Sequence, residues 1–192
     1  MEVLTHLDQQ IFLILNGYHT PLLDPVMWII SEKITWVPLY LWFLWLLFRE
    51  HRRRYWMVIV AVILMIIASD QLSNLFKESV MRFRPSNDPV IGHLVHIVNG
   101  YRGGSYGFYS GHASNSFAVA VFMIVMVRKL RKIIIPVCLL FACIVSYSRI
   151  YLGVHYPLDV IAGALAGSMI AFCISWMLQR AMIRVNGKES PV

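Results

Sequence analysis

A chain of 192 residues that is 58% hydrophobic and only 14% charged, with a mean hydropathy of +0.64, is too apolar for an ordinary soluble domain, which carries about a quarter charged residues. Its net charge of +7 is gathered into clusters beside apolar runs. That pattern suits membrane orientation and anionic headgroups, and it leaves no solvated basic face for nucleic acid.

The amino-terminal region starts acidic and lacks a basic segment, so no cleavable signal peptide is expected and the chain inserts through its own helices. Leu4, Leu7, Ile11 and Leu15 recur at helical spacing, which predicts a helix lying on the membrane over Leu4 to Asn16. Gly17 and Pro21 separate it from a second stretch, Leu22 to Ile30. Apolar runs follow at Val26 to Phe48, Tyr55 to Phe76, Ser110 to Val127, Ile133 to Tyr151 and Pro157 to Leu178. They approach the ~20 residues needed to cross the hydrocarbon layer, and backbone groups in lipid must be satisfied within the segment, so they are helices. Ser31, Glu32 and Lys33 interrupt the first run, whose crossing is therefore expected to begin near Thr35. Cys138, Cys143 and Cys173 lie inside these runs with neither pairing pattern nor ligand spacing, and read as small buried hydrophobes. The expected fold is an all-α polytopic membrane helix bundle of about five transmembrane helices with amino-terminal interfacial helices. It forms one domain over 1–192, with residues 1–33 interfacial.

Orientation follows from the basic clusters. Arg49, Arg52, Arg53 and Arg54 close one hairpin, Arg128, Lys129, Arg131 and Lys132 another, and Arg180, Arg184 and Lys188 form the tail. About five crossings put all three on one side, which the positive-inside rule makes cytoplasmic. The long Met81 to Tyr109 loop and the short Leu152 to Tyr156 turn then face the other side.

Three polar clusters sit at the outer helix ends. In the first, Lys77 and Arg84 are two helical turns apart and Pro85 ends the segment. Alone, the pair also fits interfacial cations snorkelling to headgroups. The second, Tyr109-Ser110-Gly111-His112, opens a helix whose free N–H groups form a natural phosphate cradle. His112 in that first turn is placed to donate a proton to a leaving oxygen, although Ser-Gly before a helix is also ordinary capping. In the third, Arg149 ends one helix, His155 lies in the turn after Gly153, and Asp159 follows Pro157. A carboxylate four residues on can take one ring N–H of His155, leaving the other nitrogen as a nucleophile. The plainer alternative is a histidine that caps a turn.

Taken together, the clusters resemble the type 2 phosphatidic acid phosphatase superfamily of membrane lipid phosphatases. Its signature is Lys-x6-Arg-Pro, then Pro-Ser-Gly-His, then Ser-Arg-x5-His-x3-Asp. Lys77, Arg84 and Pro85 match the first part, and Ser148, Arg149, His155 and Asp159 match the third. Ser110, Gly111 and His112 match the second, with Tyr109 in place of proline. The resemblance covers a catalytic core over 55–178. It implies that Lys77, Arg84, Ser110, Gly111 and Arg149 bind phosphate, that His155 attacks phosphorus with Asp159 orienting it, and that His112 protonates the leaving group. It implies no metal and no other cofactor. The implied substrate is a phospholipid or isoprenoid-lipid phosphate, cleaved at the extracytoplasmic face of a bacterial inner membrane. Undecaprenyl pyrophosphate, a lipid A phosphate, phosphatidylglycerol phosphate and phosphatidic acid all remain open as that substrate.

Asp70, Gln71 and Asn74 lead towards Lys77 inside the second crossing, as a functional group or as a helix-to-helix hydrogen bond. His93 and His96 read as headgroup or loop residues, since no further ligand joins them. The competing function is a lipid transporter or non-catalytic lipid-binding protein, which has no need of two histidines and an aspartate so arranged. A soluble haloperoxidase with a similar pocket is inconsistent with the apolar runs.

Overall fold

In lipid, the amides of an apolar run have only each other as partners, and every predicted run is helical. The computed structural model describes residues 2–188, with side chains over 3–185. Its helices are α1 (Glu2–Gly17), α2 (Leu23–Ser31), α3 (Val37–His51), α4 (Tyr55–Val80), α5 (Gly111–Met126), α6 (Arg131–Tyr151) and α7 (Pro157–Lys188). No strand forms among the described residues; an isolated bridge pairs Phe83 with Tyr106.

The interruption at Ser31 to Lys33 is real. α2 stops at Ser31, a 3-10 turn occupies Lys33–Trp36, and Pro38 sits in the first turn of α3, where its missing N–H costs nothing. The stretches Lys33–Val80, Arg131–Tyr151 and Pro157–Val185 are long and apolar enough to cross a membrane, and α5 is a shorter apolar helix. Within the first of these, the Arg52–Arg54 turn reverses the chain between α3 and α4.

α5 is the hub, touching α3, α4, α6 and α7. Its buried face is built from small residues, Ala113, Ser114, Ser116, Ala118 and Ala120, which let neighbouring backbones approach closely. Further down, Phe122 and Met123 join Leu47, Val58, Met65, Ile134 and Phe141 in the principal apolar core. Large apolar side chains such as Leu64 on α4 and Leu165, Met169 and Phe172 on α7 point outward, as lipid-facing residues do. Cys138 is buried, but Cys143 and Cys173 are exposed on that outer surface. Their expected burial is corrected: in a membrane helix an apolar position faces lipid as readily as core.

The basic clusters share one end of the bundle. His51 Nε2 contacts the Met126 carbonyl at 3.0 Å, and Arg54 donates to the Met182 carbonyl. The Lys188 side chain of the tail cluster lies outside the described residues.

α1 covers the opposite end. Leu4, Leu7, Ile11 and Ile14 are exposed, while Asp8, Phe12 and Asn16, spaced four apart, are buried against the protein. Of the apolar stripe read from the sequence, Leu4, Leu7 and Ile11 thus face outward, whereas Leu15 is half-buried and packs inward beside Phe12, and a largely polar stripe faces in. Asn16 accepts from the His96 amide at 2.8 Å and donates to the Tyr151 carbonyl at 2.9 Å, fastening α1 to the loop between α4 and α5 and to the end of α6.

Candidate active site

Each predicted cluster starts from a local device. α4 ends in the left-handed residue Met81 (φ 49°), whose amide bonds to the Lys77 carbonyl, turning the chain towards Arg84. Ser110 caps α5 by accepting from the Ala113 amide at 3.4 Å. Gly153 has φ +75°, and a Cβ there would meet Val95 and the His96 carbonyl at 2.7 and 2.8 Å. Only glycine fits that turn, which delivers His155. Asp159 occupies the third position of α7 and accepts from the Tyr156 amide before the helix at 2.9 Å, the reach-back of a capping box.

The glycines of α7 bring the second and third clusters together. A Cβ on Gly163 or Gly167 would lie 2.4 Å from the Ser110 carbonyl or 1.9 Å from that of Ser114. The Ser110 amide also donates to the Asp159 carbonyl at 3.0 Å. The sequence signal for this approach is the small-x3-small spacing Gly163-Ala-Leu-Ala-Gly167.

Lys77, Arg84, Gly111, His112, Arg149 and His155 line one cavity of about 650 Å³. Ser110 and Asp159 are fully buried behind it. From the cations the cavity runs past Asp70, Asn115 and Ser116 into an apolar slot lined by Phe43, Leu47, Met65, Phe122 and Met123. Asn115 donates to Asp70 at 2.8 Å, joining α5 to α4; of the alternatives left open for Asp70, the helix-to-helix bond is present, and it borders the cavity.

Arg84 is held by the Tyr106 and Val154 carbonyls, each at 3.1 Å, and its Nη1 lies 3.2 Å from His155 Nε2. A guanidinium only donates, so Nε2 accepts and Nδ1 carries the proton of the neutral ring. Nδ1 has no hydrogen-bond partner, and the nearest carboxylate oxygen, Asp159 Oδ2, is 3.6 Å away. Burial, and then the charges of Arg84, Arg149 and Lys77, hold the imidazole well below its ordinary value of 6.5. His155 is therefore neutral, with a lone pair directed at the cationic pocket.

Arg149 donates to Ser31 and lies 5.8 Å from the Tyr101 ring centre. Its Nε is buried without a partner, a donor suited to an incoming anion. Lys33 and Tyr101 also line the cavity, although the sequence marked Lys33 only as an interruption.

The other Asp159 oxygen, Oδ1, accepts from Arg82 Nη1 at 2.9 Å, and Arg82 Nη2 reaches Asp8 at 2.6 Å. Neither residue was singled out in the sequence, because Asp8 is 151 positions from Asp159. His96 contacts Asp24 at 3.0 Å and stacks on His19, which makes it a loop anchor, while His93 is exposed.

The sequence model described as the PAP2 superfamily matches residues 58–183. The chain is 39% identical to a lipid A 4'-phosphatase of Bacteroides thetaiotaomicron, over the whole chain and 85% of that protein. It is 38% identical to a lipid A 4'-phosphatase of Porphyromonas gingivalis, over the whole chain and 81% of that protein. Among solved structures, a transmembrane PAP2 type phosphatidylglycerolphosphate phosphatase from Bacillus subtilis superposes with a TM-score of 0.72 at 23% identity, over 94% of this chain and 88% of that one.

Proposed function

The chain belongs to the PAP2 superfamily of membrane lipid phosphatases, and from that premise we propose that it removes a phosphate from a lipid A-type glycolipid through a phosphohistidine, at the extracytoplasmic face. The observation that carries the reading is one cavity in which four cations, Lys33, Lys77, Arg84 and Arg149, and two histidines stand above an apolar slot. A phosphate on a lipid needs both halves.

In this reading Lys77, Arg84 and Arg149 take the phosphate oxygens. The start of α5, capped by Ser110 and opened by Gly111, offers free N–H groups to the same charge. Arg84 turns from Nε2 of His155 to the bound phosphate, which frees the lone pair. Nε2 attacks phosphorus, the bond to the leaving oxygen breaks, and His112 gives that oxygen a proton. Asp159 stabilises the positive charge that develops on the ring. Water then attacks the phosphohistidine and gives a proton to His112 as the P–N bond breaks, releasing phosphate and returning neutral His155 and protonated His112. Fixed cations in a low-dielectric pocket stabilise the charge on the transferring group.

Two observations favour a glycolipid. The relatives that match the whole chain carry that specificity in their names. Between the cations and the apolar slot, the cavity wall presents Asp70, Asn74, Asn115 and Ser116, a polar band at the depth where sugar groups joining phosphate to acyl chains would lie. A polyprenyl phosphate would place bare hydrocarbon there, against the buried Asn115 side-chain oxygen, which accepts no hydrogen bond among the described residues.

The test is phosphate release by the purified protein in detergent. Lipid A, undecaprenyl pyrophosphate, phosphatidylglycerol phosphate and phosphatidic acid are compared, with EDTA and with vanadate. Highest kcat/KM on lipid A, insensitivity to EDTA and inhibition by vanadate are expected. A preference for the polyprenyl substrate would overturn the glycolipid assignment, and loss of activity on chelation, restored by a divalent ion, would overturn the mechanism.

A further inference from the structure

A 3.6 Å separation between His155 Nδ1 and Asp159 Oδ2 is closed or lost by a small movement of the carboxylate, so whatever fixes Asp159 governs the histidine. Two groups fix it. Oδ2 accepts from the Tyr156 amide, and Oδ1 accepts from Arg82. The second comes from outside the motif residues and is itself anchored at three points. Arg82 Nη2 reaches Asp8 at 2.6 Å, its guanidinium lies 4.1 Å from the centre of the Tyr156 ring, and its backbone carbonyl accepts from the Gly107 amide at 2.9 Å. Asp8 is 2% exposed, and its other oxygen accepts from the Leu158 amide at 3.0 Å. Asp8 therefore caps a free N–H of α7 from a different helix while it holds Arg82.

Resting on the reading of His155 as nucleophile, we propose that Arg82 and Asp8 are positioning residues, through which α1 aims Asp159 at His155. The charges suit the task. Arg82 alone beside Asp159 would form a closed pair and draw the carboxylate away from the imidazolium that develops during transfer. Asp8 shares the guanidinium, so the Asp8–Arg82–Asp159 group keeps a net negative charge to face that imidazolium. The bidentate fork of arginine spans both carboxylates at once, which a lysine point charge does not. The amino-terminal helix is thus part of the catalytic apparatus as well as a membrane-surface element.

Arg82→Ala is expected to lower kcat by about 10²-fold, the usual cost of misplacing a catalytic group by about 1 Å, with little change in KM because the phosphate-binding cations are untouched. Since Arg82 acts through Asp159, the same substitution in an Asp159→Asn background should cost little more than Asp159→Asn alone. Guanidinium ion at low concentration should restore part of the turnover of Arg82→Ala and none of the double variant. Asp8→Asn, which keeps an acceptor for Leu158, gives a second cycle with Asp159→Asn, and it decides the matter if Arg82→Ala does not fold. Losses that multiply in both cycles, or that appear in KM, would overturn the positioning role. Full activity of Asp159→Asn would instead overturn the histidine–aspartate reading on which it stands.

Discussion

The place a Cβ would occupy on Gly163 lies 2.4 Å from the carbonyl oxygen of Ser110, so α7 and α5 meet backbone to backbone directly behind the candidate phosphate cradle. A methyl group there must push the helices apart, and overpacking of this kind costs about 1–3 kcal/mol. Gly163→Ala and Gly167→Ala should both lower the thermal midpoint in detergent. Gly163→Ala should also reduce turnover, because the Ser110 amide is bonded to the Asp159 carbonyl. A wild-type midpoint and rate for Gly163→Ala would show that the contact is not what spaces the site.

Stability should depend on pH through His155. Its folded pKa lies well below the ordinary 6.5 because of burial first and then Arg84, Arg149 and Lys77. Between those two values the unfolded chain binds a proton that the folded chain excludes. Stability is therefore full above about 6.5 and falls as pH drops below it, by up to about 1.4 kcal/mol per pH unit. Thermal midpoints measured from about pH 8 to about pH 5 should fall more steeply for the wild type than for His155→Asn, which has no imidazole to titrate. Parallel curves would refute the assignment.

The two histidines have different proposed tasks, and the leaving group separates them. His155→Ala should abolish turnover and any trapped phosphoenzyme together. His112→Ala should lose about 10²–10⁴-fold on a lipid alkoxide, the usual value of general-acid help, and much less on a nitrophenyl phosphate, whose departing oxygen needs little protonation. Steady-state rates on the two substrates give the comparison. Rescue at position 155 and not at 112 would reverse the roles.

Orientation is testable by cysteine labelling in a background lacking Cys138, Cys143 and Cys173. Within the Met81 to Tyr109 loop, Ser86 is buried and donates to the Arg102 carbonyl. Val90, 68% exposed in the same loop, is the better position. A membrane-impermeant thiol reagent applied from outside should reach a cysteine at Val90 and miss one at Lys129. Labelling of both, or of position 129 alone, would reject the extracytoplasmic assignment.

The amino-acid sequence alone determined that the chain is a bundle of membrane helices and where its apolar helices fall, because the hydrocarbon layer filters directly on run length and apolarity. It also determined the histidines and cations of the candidate site, since each belongs to a cluster whose spacing within one helix end or turn is a local property. His155 with Asp159 is such a local pair, whereas the two helical turns expected between Lys77 and Arg84 are corrected: α4 stops at Val80, and the left-handed Met81 turns the chain into an extended Arg84. The tertiary structure decided what those pairs meet. Asp8 and Arg82 are 74 residues apart in the chain and Arg82 and Asp159 are 77 apart, and no periodicity links them; they join only because α1 folds over the end of α7. The close approach at Gly163 is likewise a fact about two helices, although a small-x3-small stripe hinted at it. Even the direction of α1 depended on its neighbours. Of its apolar stripe, Leu4, Leu7 and Ile11 are exposed and Leu15 turns inward, and the largely polar stripe opposite, Asp8, Phe12 and Asn16, is buried because the amides and cations of the helix ends beneath it needed partners.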